Sequence, residues 1–374
     1  MRRYWIDNLR WVTVLLVLFY HVFYFYNNKG VFGGIGGFGT YPECPQYQDV
    51  VMYVLYPWIM PLLFLVAGVS TKLALDKYAG KEWFKARTRK LLVPGTIGLL
   101  VFQWMTGYFN SHIASIAQGV DLTAGMPLVV KYFMWAISGI GHLWFIQDLW
   151  LFSLIFLIIN RLTTSNKLHT WCGKVFEGKA TIVWIILLGI IFWAAQYTQI
   201  MDITNPLAGL INLYKPIFYF ILFLMGYYVF SHDHVQETLG KQWIPLMVVA
   251  ILSVMYLIMT TFGEINTTPQ YLSSVPNCVY GWFACLALMG WFKACFDKTS
   301  PFTSYMARSS YGIYVLHYLV IAGLGYGLKL YTTLPPWAIY IILTVAVFTL
   351  SPLIYEMIRR IPVIRWCVLG EKST

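Results

Sequence analysis

The chain has 374 residues, of which 59% are hydrophobic and 11% charged, against ~45–50% apolar and ~25% charged in soluble domains. That balance excludes a water-soluble globule, and apolar runs of 18 or more residues recur along the chain, each long enough to cross a ~30 Å hydrocarbon layer as a helix. The net charge of +11 invites a nucleic-acid partner, but the cations fall where a multispanning protein puts them, so none is expected.

In lipid the backbone must pair its own polar groups, which leaves helices or a closed barrel, and these runs lack the two-residue alternation of barrel strands. Helices are predicted over 9–26, 50–72, 91–109, 142–160, 181–199, 211–230, 243–262, 275–295, 309–330 and 336–358. The run PLVVKYFMWAISG at 127–139 is short and holds Lys131, so it is expected to lie at the outer interface. The expected fold is all-α, a polytopic bundle of about ten transmembrane helices forming one membrane-embedded domain over 1–374. The first run is too long for a signal peptide and no small-residue cleavage site follows it.

With the N-terminus in the cytoplasm, the inside segments hold 22 Lys and Arg, and only Lys29, Lys131, Lys215 and Lys329 fall outside. The positive-inside bias therefore predicts both termini in the cytoplasm, in an inner or plasma membrane. The cluster Lys72, Lys77, Lys81, Lys85, Arg87, Arg89 and Lys90 exceeds what anchoring needs and suits a polyanion such as a nucleotide or an anionic headgroup. The six cysteines lack paired spacing, and only Cys44 lies clearly outside, so no disulfide framework is expected. His232 and His234 flank Asp233 without further ligands, a pattern of solvated loop residues, and no metal is expected.

Titratable side chains inside a bilayer are costly and mark function or a structural pair. The candidates are Arg10 and His21 in the first helix, Asp148 in the fourth and His317 in the ninth. Arg10 and His21 share a helical face about 16 Å apart along the axis. A guanidinium there suits phosphate or carboxylate, and an imidazole suits general-base work. Asp148 and His317 both approach the depth of His21. Either could orient the His21 ring; Asp148 is expected to do so, to bind substrate or to pair with Lys215, and for His317 packing is the favoured role. Trp144, Tyr24 and Tyr26 fall at the outer interface, where aromatic belts are ordinary and sugar stacking is the sharper reading.

The opening RRYWIDNLRWVTVLLVLFYH, residues 2–21, resembles the start of the acyltransferase family 3 membrane proteins, which carry an arginine, ten intervening residues and a histidine, here Arg10 and His21. PLLFLVAG at 61–68 resembles the family's segment in the second helix, with Ala67 where serine is common. RTRKLLVP at 87–94 resembles the basic pair before the third helix, with Arg87 matching and Lys90 in place of the second arginine. GHLWFI at 141–146 and SSYGIYVLH at 309–317, through Ser310 and Tyr314, resemble the family's later motifs. The branch that includes the membrane glucan succinyltransferases is the nearest in pattern.

The resemblance implies an O-acyltransferase that takes an acetyl- or succinyl-type group from cytoplasmic acyl-CoA and passes it to a hydroxyl of an extracytoplasmic carbohydrate or lipid-linked sugar. Arg10, Arg87, Arg89 and Lys90 would hold the CoA phosphates, with Ser310 and Tyr314 as further donor contacts. His21 would be the base, Asp148 its companion, and His142 and Trp144 would contact the acceptor. A direct transfer and an acyl-histidine intermediate both remain open, as does the oligomeric state. The competing class is a proton-coupled transporter or flippase, since Arg, His and Asp lined up across a membrane also describe a proton path.

Overall fold

A computed structural model describes residues 3–25, 47–121, 123–162, 165–197, 215–264 and 268–371. Tyr26, Lys29, Cys44 and the start of the predicted helix 211–230 lie outside them. All regular structure among the described residues is helical. Seven helices there are long and apolar enough to cross a membrane, beginning at Tyr4, Val50, Gly141, Asp233, Val275, Pro301 and Pro336. Leu128–Ser138, Thr181–Tyr197 and Pro216–Phe230 are shorter apolar helices.

One predicted helix is broken. The stretch 91–109 is interrupted at Pro94 and Gly95, where wide π-type turns at Thr88–Leu92 and Leu99–Gln103 flank an irregular turn. Pro94 has no N–H for the Lys90 carbonyl four residues back, and its ring crowds that carbonyl. The Tyr311 hydroxyl donates to the Lys90 carbonyl instead, and Gln147 Nε2 donates to the Gly95 carbonyl at 2.8 Å. Side chains thus repair what the proline opens.

The described chain groups into two compact units, Met1–Thr13 with Tyr53–Phe84 and Leu151–Ala307, and Val14–Met52 with Lys85–Trp150 and Arg308–Thr374. In the first unit, α2 (Val50–Leu75) and α9 (Pro216–Met225) meet backbone to backbone. A Cβ added to Gly68 would lie 2.1 Å from the Phe223 carbonyl, and one added to Gly226 2.1 Å from that of Leu65. Small residues at a crossing allow this approach, which is the physical content of the glycine closing PLLFLVAG. The opening motif is anchored in the same unit. Trp5 N–H donates to Asp297 at 3.1 Å, and Asn8 Nδ2 donates to the Phe296 and Lys298 carbonyls at 2.7 and 2.8 Å.

In the second unit, α4 (Trp104–Gln118) and α5 (Leu128–Ser138) form a close hairpin, with Gly107 against the Trp135 carbonyl and Gly139 against that of Gln103. The opposite side of α5 exposes Leu128, Val129, Val130, Phe133 and Ile137, as a helix that turns one face to lipid or its interface would. Helix α13 (Pro301–Tyr331) supplies this unit from Arg308 onward. After α14 (Pro336–Ile358), the short α15 (Pro362–Leu369) ends in a left-handed Gly370 at φ 61°. A Cβ there would lie 2.2 Å from the Arg89 carbonyl, so only glycine lets the tail settle on the basic motif.

Candidate active site

Three histidines from three parts of the sequence meet in the second unit. His21 comes from α1 (Tyr4–Phe25), His142 from the 3₁₀ turn Gly141–Leu143 that leads into α6 (Trp144–Leu162), and His317 from α13. His317 Nε2 lies 3.0 Å from His21 Nδ1. The His142 ring centroid is 5.0 Å from that of His317. Tyr318 stacks on His142 at 5.3 Å and meets His21 edge-on at 5.5 Å. His142 and His317 are 4% and 0% exposed, whereas His21 keeps some open surface. Of the three, His21 is the one a substrate can reach.

Backbone carbonyls of α13 hold the cluster. His317 Nδ1 lies against the Tyr314 carbonyl, and His142 Nε2 lies 3.0 Å from that of Val315, which also accepts from Gln103 Nε2 at 2.7 Å. The Tyr314 hydroxyl donates to the His142 carbonyl. Tyr314 therefore stands in the histidine cluster. Ser310, one turn earlier, is 2% exposed. The ring beside His21 is His317, for which the sequence favours packing over orienting that ring. Asp148 lies six residues past His142 on α6, and its Oδ2 is buried without a hydrogen-bond partner among the described residues. Trp144 opens α6 and meets Phe145 edge-on at 6.4 Å.

The basic motif lies in the same unit. Lys90 Nζ pairs with Glu371 at 2.8 Å and sits 4.5 Å over the Tyr311 ring. Arg89 Nε is buried without a hydrogen-bond partner among the described residues. Arg10 belongs to the first unit, where it bonds Asp7 at 3.1 Å and keeps 41% of its side chain exposed.

Regular structure that is all helical among the described residues, with several helices able to cross a membrane, defines a multi-pass membrane protein. Residues 3–356 match the acyltransferase domain family, acyltransferase family 3, and the chain belongs to it. An acyltransferase activity in general follows from that membership. No curated protein and no solved structure matches the chain.

Proposed function

We propose that the protein is a membrane O-acyltransferase of the inner or plasma membrane, moving an acetyl- or succinyl-type group from cytoplasmic acyl-CoA to a hydroxyl of an extracytoplasmic glycan or lipid-linked sugar. Membership of the succinyltransferase-like branch and an arrangement of about ten crossings with both termini inside belong to the same reading. The observation that carries it is the partly open His21 imidazole, hydrogen-bonded to His317 in an otherwise sealed cluster.

In this reading His21 takes the proton of the acceptor hydroxyl as its oxygen bonds to the thioester carbonyl carbon. The C–S bond then breaks, and the CoA thiolate leaves with a proton returned by His21. General-base help of this kind is worth ~10²–10⁴ in rate. His142 Nδ1, buried without a hydrogen-bond partner among the described residues, offers an acceptor to an N–H or O–H of the bound substrates. Arg87, Arg89 and Lys90 supply charge for the donor phosphates, the lysine as a point charge and the arginines as forks. Arg10 keeps, from its place on the helix of His21, the donor-binding role expected of it. Trp144 is the aromatic for the acceptor sugar.

The test pairs thiol release from acetyl-CoA or succinyl-CoA, in membranes that contain the acceptor, with mass spectrometry of surface glycans. His21→Ala should lose turnover by ~10² or more while donor binding survives, and Arg10→Ala should chiefly weaken donor binding. Near wild-type transfer by His21→Ala rules out the base.

A further inference from the structure

The hydrogen bonds around His21 and His317 restrict which ring nitrogens carry protons. A carbonyl oxygen only accepts, so His317 Nδ1, which lies against the Tyr314 carbonyl, must be the protonated nitrogen of that ring. Both hydrogen bonds of His317 run to neutral groups, and at 0% exposure the neutral imidazole is the form this site supports. Its Nε2 is then a lone pair. The other imidazole within reach, His142, is not its donor: His142 gives its Nε2 proton to the Val315 carbonyl, and its Nδ1 has no hydrogen-bond partner among the described residues.

The proton between the two rings therefore sits on His21 Nδ1. With the proton on Nδ1, the lone pair of neutral His21 is on Nε2, the nitrogen that His317 does not cover.

We infer that His317 is the positioning residue of His21: its Nε2 holds the proton on His21 Nδ1 and so presents His21 Nε2 as the base toward the acceptor hydroxyl. The inference rests on the acyltransfer reading of His21. It makes the chain Tyr314 carbonyl, His317, His21 a relay of tautomer and orientation, in which no proton needs to leave the pair during turnover. The histidine that closes SSYGIYVLH thereby acquires a role of its own.

The experiment compares His317→Leu, which offers no acceptor to His21, with His317→Gln, whose amide oxygen reaches the place of the lost Nε2. The readout is thiol release from acetyl-CoA or succinyl-CoA in acceptor-containing membranes, as kcat and donor KM. The Leu variant leaves the base in place and only frees its tautomer and orientation, so it should lose about tenfold in kcat, not the whole ~10²–10⁴ that a base supplies. Donor KM should be unchanged, and the Gln variant should recover most of the loss. If the Leu variant does not fold, His317→Asn replaces it, since its shorter amide keeps the bond to the Tyr314 carbonyl but stops short of His21. Wild-type kcat in the acceptor-lacking variant, or equal loss in the Gln variant, overturns the positioning role and leaves His21 as base untouched. Turnover by His21→Ala would instead remove the base and this inference with it.

Discussion

The break at Pro94 predicts an energetic coupling between two residues more than 200 positions apart. At the Lys90 carbonyl Pro94 brings no N–H and the Gly95 N–H goes to Leu91, and the Tyr311 hydroxyl donates there. Tyr311→Phe removes that donor and keeps the ring under Lys90, so the cation–π contact at 4.5 Å survives. A net hydrogen bond is worth ~0.5–1.5 kcal/mol, and a buried acceptor left bare costs ~1–3 kcal/mol. The site is only part-buried, so the expected loss is about 1 kcal/mol. Pro94→Ala restores an N–H four residues beyond Lys90, and in that background Tyr311→Phe should cost less, with a coupling of about 0.5–1 kcal/mol. Unfolding of the four proteins in mixed micelles with increasing denaturing detergent measures all the terms of the cycle. Equal loss in both backgrounds would refute the account, as would no loss in the wild-type background.

Two further outcomes are expected. Arg87→Ala should weaken acyl-CoA binding while Lys90→Arg is tolerated, and isothermal titration with a non-hydrolysable acyl-CoA analogue measures both; unchanged affinity in the Arg87 variant would move the donor site elsewhere. In the cytoplasmic segment expected at α7 (Ser165–Val175), burial, with the nearby His232 and Lys72 charges, lowers the His169 pKa to about 4. The unfolded chain, near 6.5, then binds a proton that the folded chain refuses. This stabilisation is complete above about pH 6.5 and fades as pH falls toward 4. The thermal midpoint should therefore drop between pH 7.5 and 5, and drop less in His169→Gln, whose amide still reaches the Ser231 hydroxyl now 2.9 Å from His169 Nε2.

Hydropathy read helices α12 and α14 to the residue, 275–295 and 336–358, because in both a proline in the first turn coincides with the start of the apolar run. It misread 91–109, since a window of apolar residues does not register that Pro94 removes a donor. The predicted helices 181–199 and 211–230 are described only as Thr181–Tyr197 and Pro216–Phe230, too short to count among the long spans. Arg10 and His21 were legible together because they share one helix. The partnership of His21 with His317 spans 296 positions and leaves no periodicity. The available signal was depth alone, which placed Asp148 and His317 level with His21 and could not choose between them.

Helix α13 explains why motifs so distant in sequence belong together. Tyr311 serves the carbonyl beside the basic motif, Tyr314 bonds the His142 carbonyl of GHLWFI, and His317 reaches the His21 that ends the opening motif. Positions 311, 314 and 318 recur at intervals of three and four, so one helical face presents them, and His317 lies beside that face. A change of rotation or register in α13 would disturb the basic motif and the base together. The same arrangement bears on the transporter alternative. With the tautomers inferred above, the Tyr314 carbonyl holds the His317 proton and His317 that of His21, so neither is a proton that a carrier could release and rebind. A base that takes and returns a proton at Nε2 within one turnover leaves those bonds intact. Thiol release from acyl-CoA in detergent, with acceptor present and no gradient across any membrane, separates the two classes: transfer needs only the substrates, and transport would show none.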